Sequence, residues 1–189
     1  MTSRKGTISV NTNDIFPIIK KWLYSEHDIF LRELVANGTD AITKRETLGR
    51  LQNQEIPTGK IAVTVDKPNK TITIQDNGLG MTEAEVEKYI AQLAFSGASE
   101  FVEKMKKEGN QTNTDIIGKF GLGFYSAFMV STKVEVDSLS MNQGSVATKW
   151  VCEGETDYEF TESNLSEVGT KITLHLNEES EEFLNAWKV

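Results

Sequence analysis

The sequence has little cysteine and no long apolar run, and each shortage excludes a class of protein. Its single cysteine, Cys152, cannot form an internal disulfide. The lack of disulfides is typical of a protein kept in a reducing compartment. No apolar run approaches the roughly 20 residues that span a bilayer, and the N-terminus lacks the apolar stretch of a signal peptide. We therefore expect a cytoplasmic protein without a membrane partner.

Positive charge is also scarce, because 20 Lys and Arg stand against 28 Asp and Glu and give a net charge of −8. This balance disfavours a surface that wraps nucleic acid, although it leaves room for a positive pocket that binds a small anion. The 189 residues are enough for one domain with a substantial core. We predict a single domain over residues 1–189.

The predicted elements indicate an α+β fold, since helical patterns dominate the first half of the chain and strand patterns the second. We expect a two-layer sandwich in which a mostly antiparallel, twisted sheet carries helices on one face. A capping box at Thr82 and Glu85 starts one helix, which should bury Val86, Tyr89, Ile90 and Leu93. Other helices are predicted from 13 or 14, from 25 or 28 to 48, over 124–130 and from 178. Strands are predicted at 7–10, 61–65, 71–75, 133–138, 145–152, 158–161 and 170–176.

The first candidate site is a polar stripe on the helix that contains residues 31–42. At about 100° per residue, Glu33, Asn37, Asp40 and Lys44 fall within an arc of roughly 60°, opposite an apolar arc. An amide oxygen such as that of Asn37 suits Mg²⁺, and a carboxylate one turn away can orient a water for attack on a phosphate. Taken alone, the pair is also typical of an exposed polar helix face.

The second and third candidates are glycine-containing segments. Asp76 ends a strand and is followed by Gly78 and Gly80; its carboxylate can accept a hydrogen bond from an exocyclic amine, although an ordinary Asx turn shows the same pattern. Residues 117–124 hold three glycines before a helix, where free backbone N–H groups can bind an anion or act as a hinge. The polar and glycine-rich stretch at about 95–124 predicts a mobile lid.

In this order, and with residues 169–172 opening a late strand, the segments resemble the four motifs of the ATPase superfamily of gyrase, heat-shock protein 90, histidine kinases and MutL. Residues 30–34, 76–82 and 117–128 are similar to the N-terminal domain of bacterial-type heat-shock protein 90 chaperones. The resemblance implies a slow, Mg²⁺-dependent ATPase that binds ATP and ADP and assists protein folding. It further implies client proteins, nucleotide-controlled lid closure and a homodimeric full-length protein. The middle and C-terminal domains of that family have no counterpart in these 189 residues, so we expect a monomeric fragment with very low turnover.

The resemblance also implies a role for each matching position. Glu33 would be the general base, and Asn37 would bind Mg²⁺. Asp76 would accept a hydrogen bond from the adenine amine, assisted by Gly80 and Thr170 through an ordered water, and Met81 would pack on the adenine. The remaining implied contacts are phosphate binding by Gly121, Gly123 and Phe124. Asp40 and Lys44 would support the site from the same helix face, although an ordinary i,i+4 surface pair explains them equally well.

The chain departs from the common pattern of these relatives at four positions, one of which is Lys119 in place of a frequent Gln. Gly38 replaces a frequent Ala and should loosen the catalytic helix. Phe95 replaces a frequent nucleotide-contacting Lys, and Tyr89 replaces Asn or His. With these substitutions, one or two of the polar contacts that relatives make to the nucleotide have no equivalent side chain here.

Three other functions are consistent with parts of the pattern. A type II topoisomerase or mismatch-repair ATPase would share the motifs, but the acidity of the chain fits DNA poorly. A histidine kinase would not need Glu33. A module that binds nucleotide or peptide without catalysis would keep the cavity and have no turnover to lose.

Overall fold

The described part of the chain forms one antiparallel sheet with helices packed against one of its faces. The computed structural model describes residues 29–92, 123–154 and 157–185. Its helical elements are α1 (Ile29–Gln52), α2 (Glu83–Val86) with a π-helical continuation (Glu87–Gln92), a 3₁₀ turn (Gly123–Ser126), α3 (Ala127–Val130) and a last 3₁₀ helix (Glu178–Leu184). Its strands are β1 (Ile61–Asp66), β2 (Thr71–Asp76), β3 (Ser131–Leu139), β4 (Thr148–Cys152), β5 (Tyr158–Glu162) and β6 (Gly169–Leu176).

The strand order of this six-stranded sheet is β1-β2-β6-β3-β4-β5. Every neighbouring pair is antiparallel, which confirms the predicted α+β architecture. Alternation fixes the two faces, because successive side chains of a strand point to opposite sides. In β6, Ile172 and Leu174 are buried whereas the intervening Thr173 is half-buried.

The core lies between the inner face of the sheet and the helices. Fully buried Ile72, Val134 and Leu174 of three adjacent strands form its floor. Phe30 of α1 meets Phe183 of the last helix edge to face, with ring centroids 5.1 Å apart. Aromatic area of this kind contributes much of the burial energy of a small core.

Several local predictions need correction. Tyr89 was expected in the core but is 49% exposed, because the helix widens into a π-helical turn after Val86 and carries Tyr89 outward. The strand predicted from residue 145 begins only at Thr148, since 142–145 close a turn. Helix α1 continues to Gln52, beyond the predicted end at 48.

Most other elements agree with the sequence patterns, although the helix predicted over 124–130 begins as a 3₁₀ turn and the one predicted from 178 is a 3₁₀ helix. The hairpin of β1 and β2 and the capping box at Thr82 are confirmed, with the Glu85 N–H donating to Thr82 Oγ1 at 3.3 Å. The strand at 7–10, the helix from 13 or 14, Leu93 and lid residues 95–122 lie outside the described residues. Within those residues, no helix is both long and apolar enough to cross a bilayer.

Candidate functional site

A cavity of about 540 Å³ lies between α1, the end of β2, the turn that follows it and the 3₁₀ turn at Gly123. Its size is within the range of small-molecule and cofactor sites. Nine of the ten residues predicted for the site line this cavity: Glu33, Asn37, Asp40, Asp76, Gly80, Met81, Gly123, Phe124 and Thr170. The tenth, Gly121, lies outside the described residues.

Helix α1 contributes one wall because its two faces differ. Leu34 and Gly38 are buried against the sheet, and Leu31, Val35 and Ile42 are half-buried, as the apolar arc predicts. The polar stripe of Glu33, Asn37, Asp40 and Lys44 turns toward the cavity. The helix thus places a carboxylate and an amide, one turn apart, at the same opening.

Asp76 is the most deeply placed charged group of the cavity. It is the last residue of β2, is 9% exposed, and its Oδ1 accepts a hydrogen bond from the Gly78 N–H at 2.8 Å. Burial raises the pKa of this carboxyl to about 6, and the backbone N–H groups of Gly78 and Thr170 offset part of that effect. The site therefore holds a hydrogen-bond acceptor beside apolar Leu34 and Ile74.

Strand register creates a polar row at this end of an otherwise apolar sheet face. Asp76 pairs with Thr170, which pairs with Ser138 on the next strand. The preceding row on the same face consists of Ile74, Ile172 and Val136. The polarity of the inner face thus changes within two residues, where the cavity begins.

Ser138 is a site residue that the sequence analysis missed. Its hydroxyl is fully buried, lies 3.0 Å from Thr170 Oγ1 and accepts a hydrogen bond from the Met81 N–H at 2.8 Å. It therefore ties the Met81 backbone to the strand that carries Thr170. A lone serine in a strand gives no signal of this role; only the register does.

The glycines after Asp76 permit close backbone crossings. At Gly80, with φ +63°, an added Cβ would lie 1.9 Å from the Leu139 carbonyl oxygen. At Gly78 it would lie 2.5 Å from Ala41 Cβ. The turn is thus held between α1 and β3, and side chains larger than glycine would push it out of place.

Glu33 lies directly against the backbone of Gly123. A Cβ built on Gly123 would be 2.5 Å from Glu33 Oε2, so the absence of a side chain leaves space for the carboxylate. Gly123 opens a short 3₁₀ turn that is entirely buried. The third predicted segment therefore meets the first at this contact.

The charges around the cavity are mostly negative among the described residues. Glu33, Asp40, Asp76 and Glu85 contribute carboxyls, and Lys44 contributes an ammonium. No group of three or more His, Cys, Asp or Glu side chains in residues 29–92, 123–154 and 157–185 is arranged to hold a metal by itself. Oxygen donors such as the Asn37 amide suit Mg²⁺, provided that phosphate and water complete its coordination.

Comparison with known proteins places this cavity in a family context. A family model described as "Histidine kinase-, DNA gyrase B-, and HSP90-like ATPase" matches residues 24–184. The match therefore includes every described residue of the cavity.

Several curated relatives match nearly all of the chain. "Chaperone protein HtpG" of Porphyromonas gingivalis strain W83 is 49% identical over 189 residues, which cover 99% of this chain and 27% of that protein. The protein of that name from Bacteroides fragilis strain 638R is 47% identical over 98% of this chain and 27% of its own length. The Geobacter metallireducens protein is 39% identical over 100% of this chain and 30% of its own length. The chain thus spans about a quarter of the length of these relatives.

Proposed function

The chain belongs to the family of histidine kinase-, DNA gyrase B- and HSP90-like ATPases, and we propose that its cavity binds ATP and ADP with Mg²⁺ and hydrolyses ATP slowly. The observation that supports this most directly is the meeting of three separate sequence segments around one cavity. Each segment supplies groups suited to one part of a nucleotide.

The purine end of the ligand is proposed to lie at the polar row. A carboxylate at Asp76 would accept a hydrogen bond from the exocyclic amine of adenine, whereas the carbonyl of guanine would offer it no proton. Met81 and Ile172 line the same part of the cavity and supply apolar contact for a planar base. Thr170 and Gly80 would complete the base contacts through an ordered water.

The phosphates are proposed to lie between α1 and the 3₁₀ turn. Asn37 would hold Mg²⁺, which supplies positive charge to the phosphate oxygens when bound. That charge is needed because Glu33 and Asp40 would otherwise repel a polyanion. The backbone N–H groups of Gly121, Gly123 and Phe124 would bind phosphate oxygens, with Asp40 supporting the site from α1.

Glu33 is the group proposed to act on water. Its carboxylate would orient a water for attack on the terminal phosphorus and accept its proton, while the bond to the ADP oxygen breaks. The products are ADP and phosphate. Gly123 lies against this carboxylate and limits the positions it can adopt.

The longer protein is proposed to be a cytoplasmic chaperone that acts on partly folded client proteins as a homodimer. The support for this role is the printed name of the relatives, chaperone protein HtpG. In this role, lid closure over residues 95–124 would report the bound nucleotide.

Nucleotide recognition is tested by replacing Asp76 with Asn. The amide presents N–H groups to the adenine amine, so the affinity for Mg-ADP should fall by at least about 100-fold, which corresponds to roughly 3 kcal/mol. Isothermal titration calorimetry at pH 7.5 measures this, with exposed Asp157→Asn as the matched control. Wild-type protein that does not bind Mg-ADP contradicts the proposed function.

Catalysis is tested by replacing Glu33 with Ala. Loss of the base should reduce single-turnover phosphate release by about 100-fold or more and leave the affinity for ADP within about threefold. Exposed Glu83→Ala, at the start of α2, is the control. Equal, measurable phosphate release from Glu33→Ala and wild type would contradict the role of Glu33, whereas ADP binding with no phosphate release from either protein would indicate a binding module without catalysis.

A further inference from the structure

Arg45 of α1 connects the helix to the two backbone segments that carry the base-binding groups. Its Nη1 lies 2.7 Å from the Asn77 carbonyl oxygen and 3.4 Å from the Val168 carbonyl oxygen. The side chain is half-buried. A single guanidinium therefore bridges a carbonyl just after β2 and a carbonyl just before β6.

The contact to Asn77 bears on Asp76 through one rigid unit. The Asn77 carbonyl and the Gly78 N–H belong to the same planar peptide group. That N–H donates to Asp76 Oδ1 at 2.8 Å. When Arg45 holds the oxygen of this peptide, the direction of the Gly78 N–H is fixed. The position of the Asp76 carboxylate, which accepts a hydrogen bond from that N–H, is then fixed as well.

The second contact fixes the neighbouring strand. Val168 precedes Gly169 and Thr170, and an added Cβ at Gly169 would lie 2.1 Å from the Asp76 carbonyl oxygen. The two segments are thus packed backbone to backbone, and Arg45 holds both from the helix side. The side chain of Asn77 is held as well, because its Nδ2 donates to the Thr58 carbonyl at 2.8 Å.

Packing alone does not explain why residue 45 is an arginine. Nε of Arg45 is buried and has no hydrogen-bond partner among the described residues, and a buried unpaired donor costs free energy. An apolar side chain of the same length would pack there without that cost, so the two carbonyl contacts are what a guanidinium adds.

We propose that Arg45 is a positioning residue for base recognition, because its guanidinium orients the Asn77–Gly78 peptide that in turn holds the Asp76 carboxylate. The inference rests on the proposed function of the cavity and deepens it. Arg45 is not among the residues that line the cavity, and it acts through Asp76 and, by way of Val168, through Thr170.

The experiment combines a substitution with a change in the ligand. Arg45→Met keeps the aliphatic stem and removes the donors, and purine riboside 5′-diphosphate lacks the amine that Asp76 would bind. Calorimetry gives the Kd of ADP and of this analogue for each protein. Wild type should prefer ADP, and the ratio of the two Kd values measures the contribution of the amine.

In Arg45→Met, the Kd for ADP should rise about tenfold, the size expected when a charged hydrogen bond that orients a binding group is lost. The Kd of the analogue should change less, so the ratio should fall toward one. Arg50→Met is the matched control, because Arg50 lies on the same helix with 82% of its side chain exposed and its 3.9 Å ion pair to Glu46 at the surface. The Arg50→Met variant should bind ADP and the analogue with the same Kd values as the wild type.

An unchanged ratio in a folded Arg45→Met overturns the proposal, whether or not the Kd for ADP rises, because a purely structural role weakens both ligands equally. If this variant does not fold, Arg45→Gln decides: its amide nitrogen stands two bonds closer to the backbone than Nη1 and does not reach the two carbonyls, so a reduced ratio supports the role and a wild-type ratio overturns it. Failure of wild type to bind ADP overturns the proposed function itself, which is a separate result.

Discussion

At the scale of single residues, Asp76 illustrates a conflict between stability and recognition. A buried carboxylate is unfavourable in the free domain, yet its oxygens are the acceptors proposed to select adenine. The raised pKa, about 6, reports this cost. The turn pattern after β2 singled out this residue in the sequence. The pattern did not reveal its burial, because the neighbours that exclude water come from α1 and β6.

Asp76→Asn should stabilise the ligand-free domain at pH 8 although it weakens nucleotide binding. The pKa of Asp76 is 3.8 in the unfolded chain and about 6 in the fold, so the native state binds more protons between these values. Stability from this group is therefore greatest below pH 3.8 and falls as pH rises to 6. The Asn variant lacks this loss, so its free energy of unfolding at pH 8 should be about 1–2 kcal/mol higher than that of the wild type.

Urea denaturation at pH 5 and pH 8 measures this difference, with exposed Asp157→Asn as the control. A wild-type pH dependence in Asp76→Asn would show that the buried carboxyl is not its source.

At the scale of elements, α1 shows how far periodicity predicts and where it stops. The 3.6-residue period placed Glu33 and Asn37 on one stripe and Leu34 and Gly38 on the other, as observed. The same period could not predict what each position touches, since that depends on neighbouring strands and loops. For this reason the two buried glycines of α1, Gly38 and Gly49, have different neighbours.

Gly38→Ala and Gly49→Ala should change stability in opposite directions although both lie in α1. A Cβ at Gly38 meets Asp76 Cβ and the flexible end of Ile61, each at 3.3 Å, so about half of the roughly 1 kcal/mol of helix propensity should remain, a gain of about 0.5 kcal/mol. A Cβ at Gly49 would lie 2.1 Å from Ile56 Cγ1, which should cost about 1–3 kcal/mol. Urea denaturation of the two variants provides the comparison, and a shared sign would refute this account.

At the scale of the whole molecule, the two faces of the sheet have different chemistry. The inner face carries the core and the cavity. The outer face carries an ionic cluster around Glu135, whose Oε1 lies 2.9 Å from Lys133 Nζ and 3.0 Å from His175 Nε2. Its Oε2 lies 3.1 Å from Lys149 Nζ. The cluster joins β3, β4 and β6, the centre of the sheet.

Glu135→Gln should weaken the acid dependence of stability. Burial would raise the pKa of Glu135, but hydrogen bonds from Lys133 and Lys149 and their charges outweigh it and lower the pKa to about 2 from 4.5. The stabilisation is therefore complete above pH 4.5 and is lost as pH falls toward 2. The free energy of unfolding of the variant should be about 1 kcal/mol lower at pH 7, and it should fall less steeply as the pH is lowered.

Thermal denaturation between pH 2.5 and pH 7 tests this, with exposed Glu159→Gln on β5 as the matched control. An unaltered decline in acid would assign the acid sensitivity to other carboxyls.

Local patterns in the sequence predict which residues form helices and strands and which side chains could contact a nucleotide. Periodicity, capping residues and glycine positions carry that information within a few residues, so they mark Glu33, Asn37 and Asp76 as candidates, whereas their roles came from the order of the motifs and stay predictions. The folded chain was needed to show that Ser138 supports Met81, that Arg45 bridges two carbonyls, and that Tyr89 lies half-exposed. These facts depend on register and on contacts between segments far apart in the chain, and no local pattern encodes such contacts.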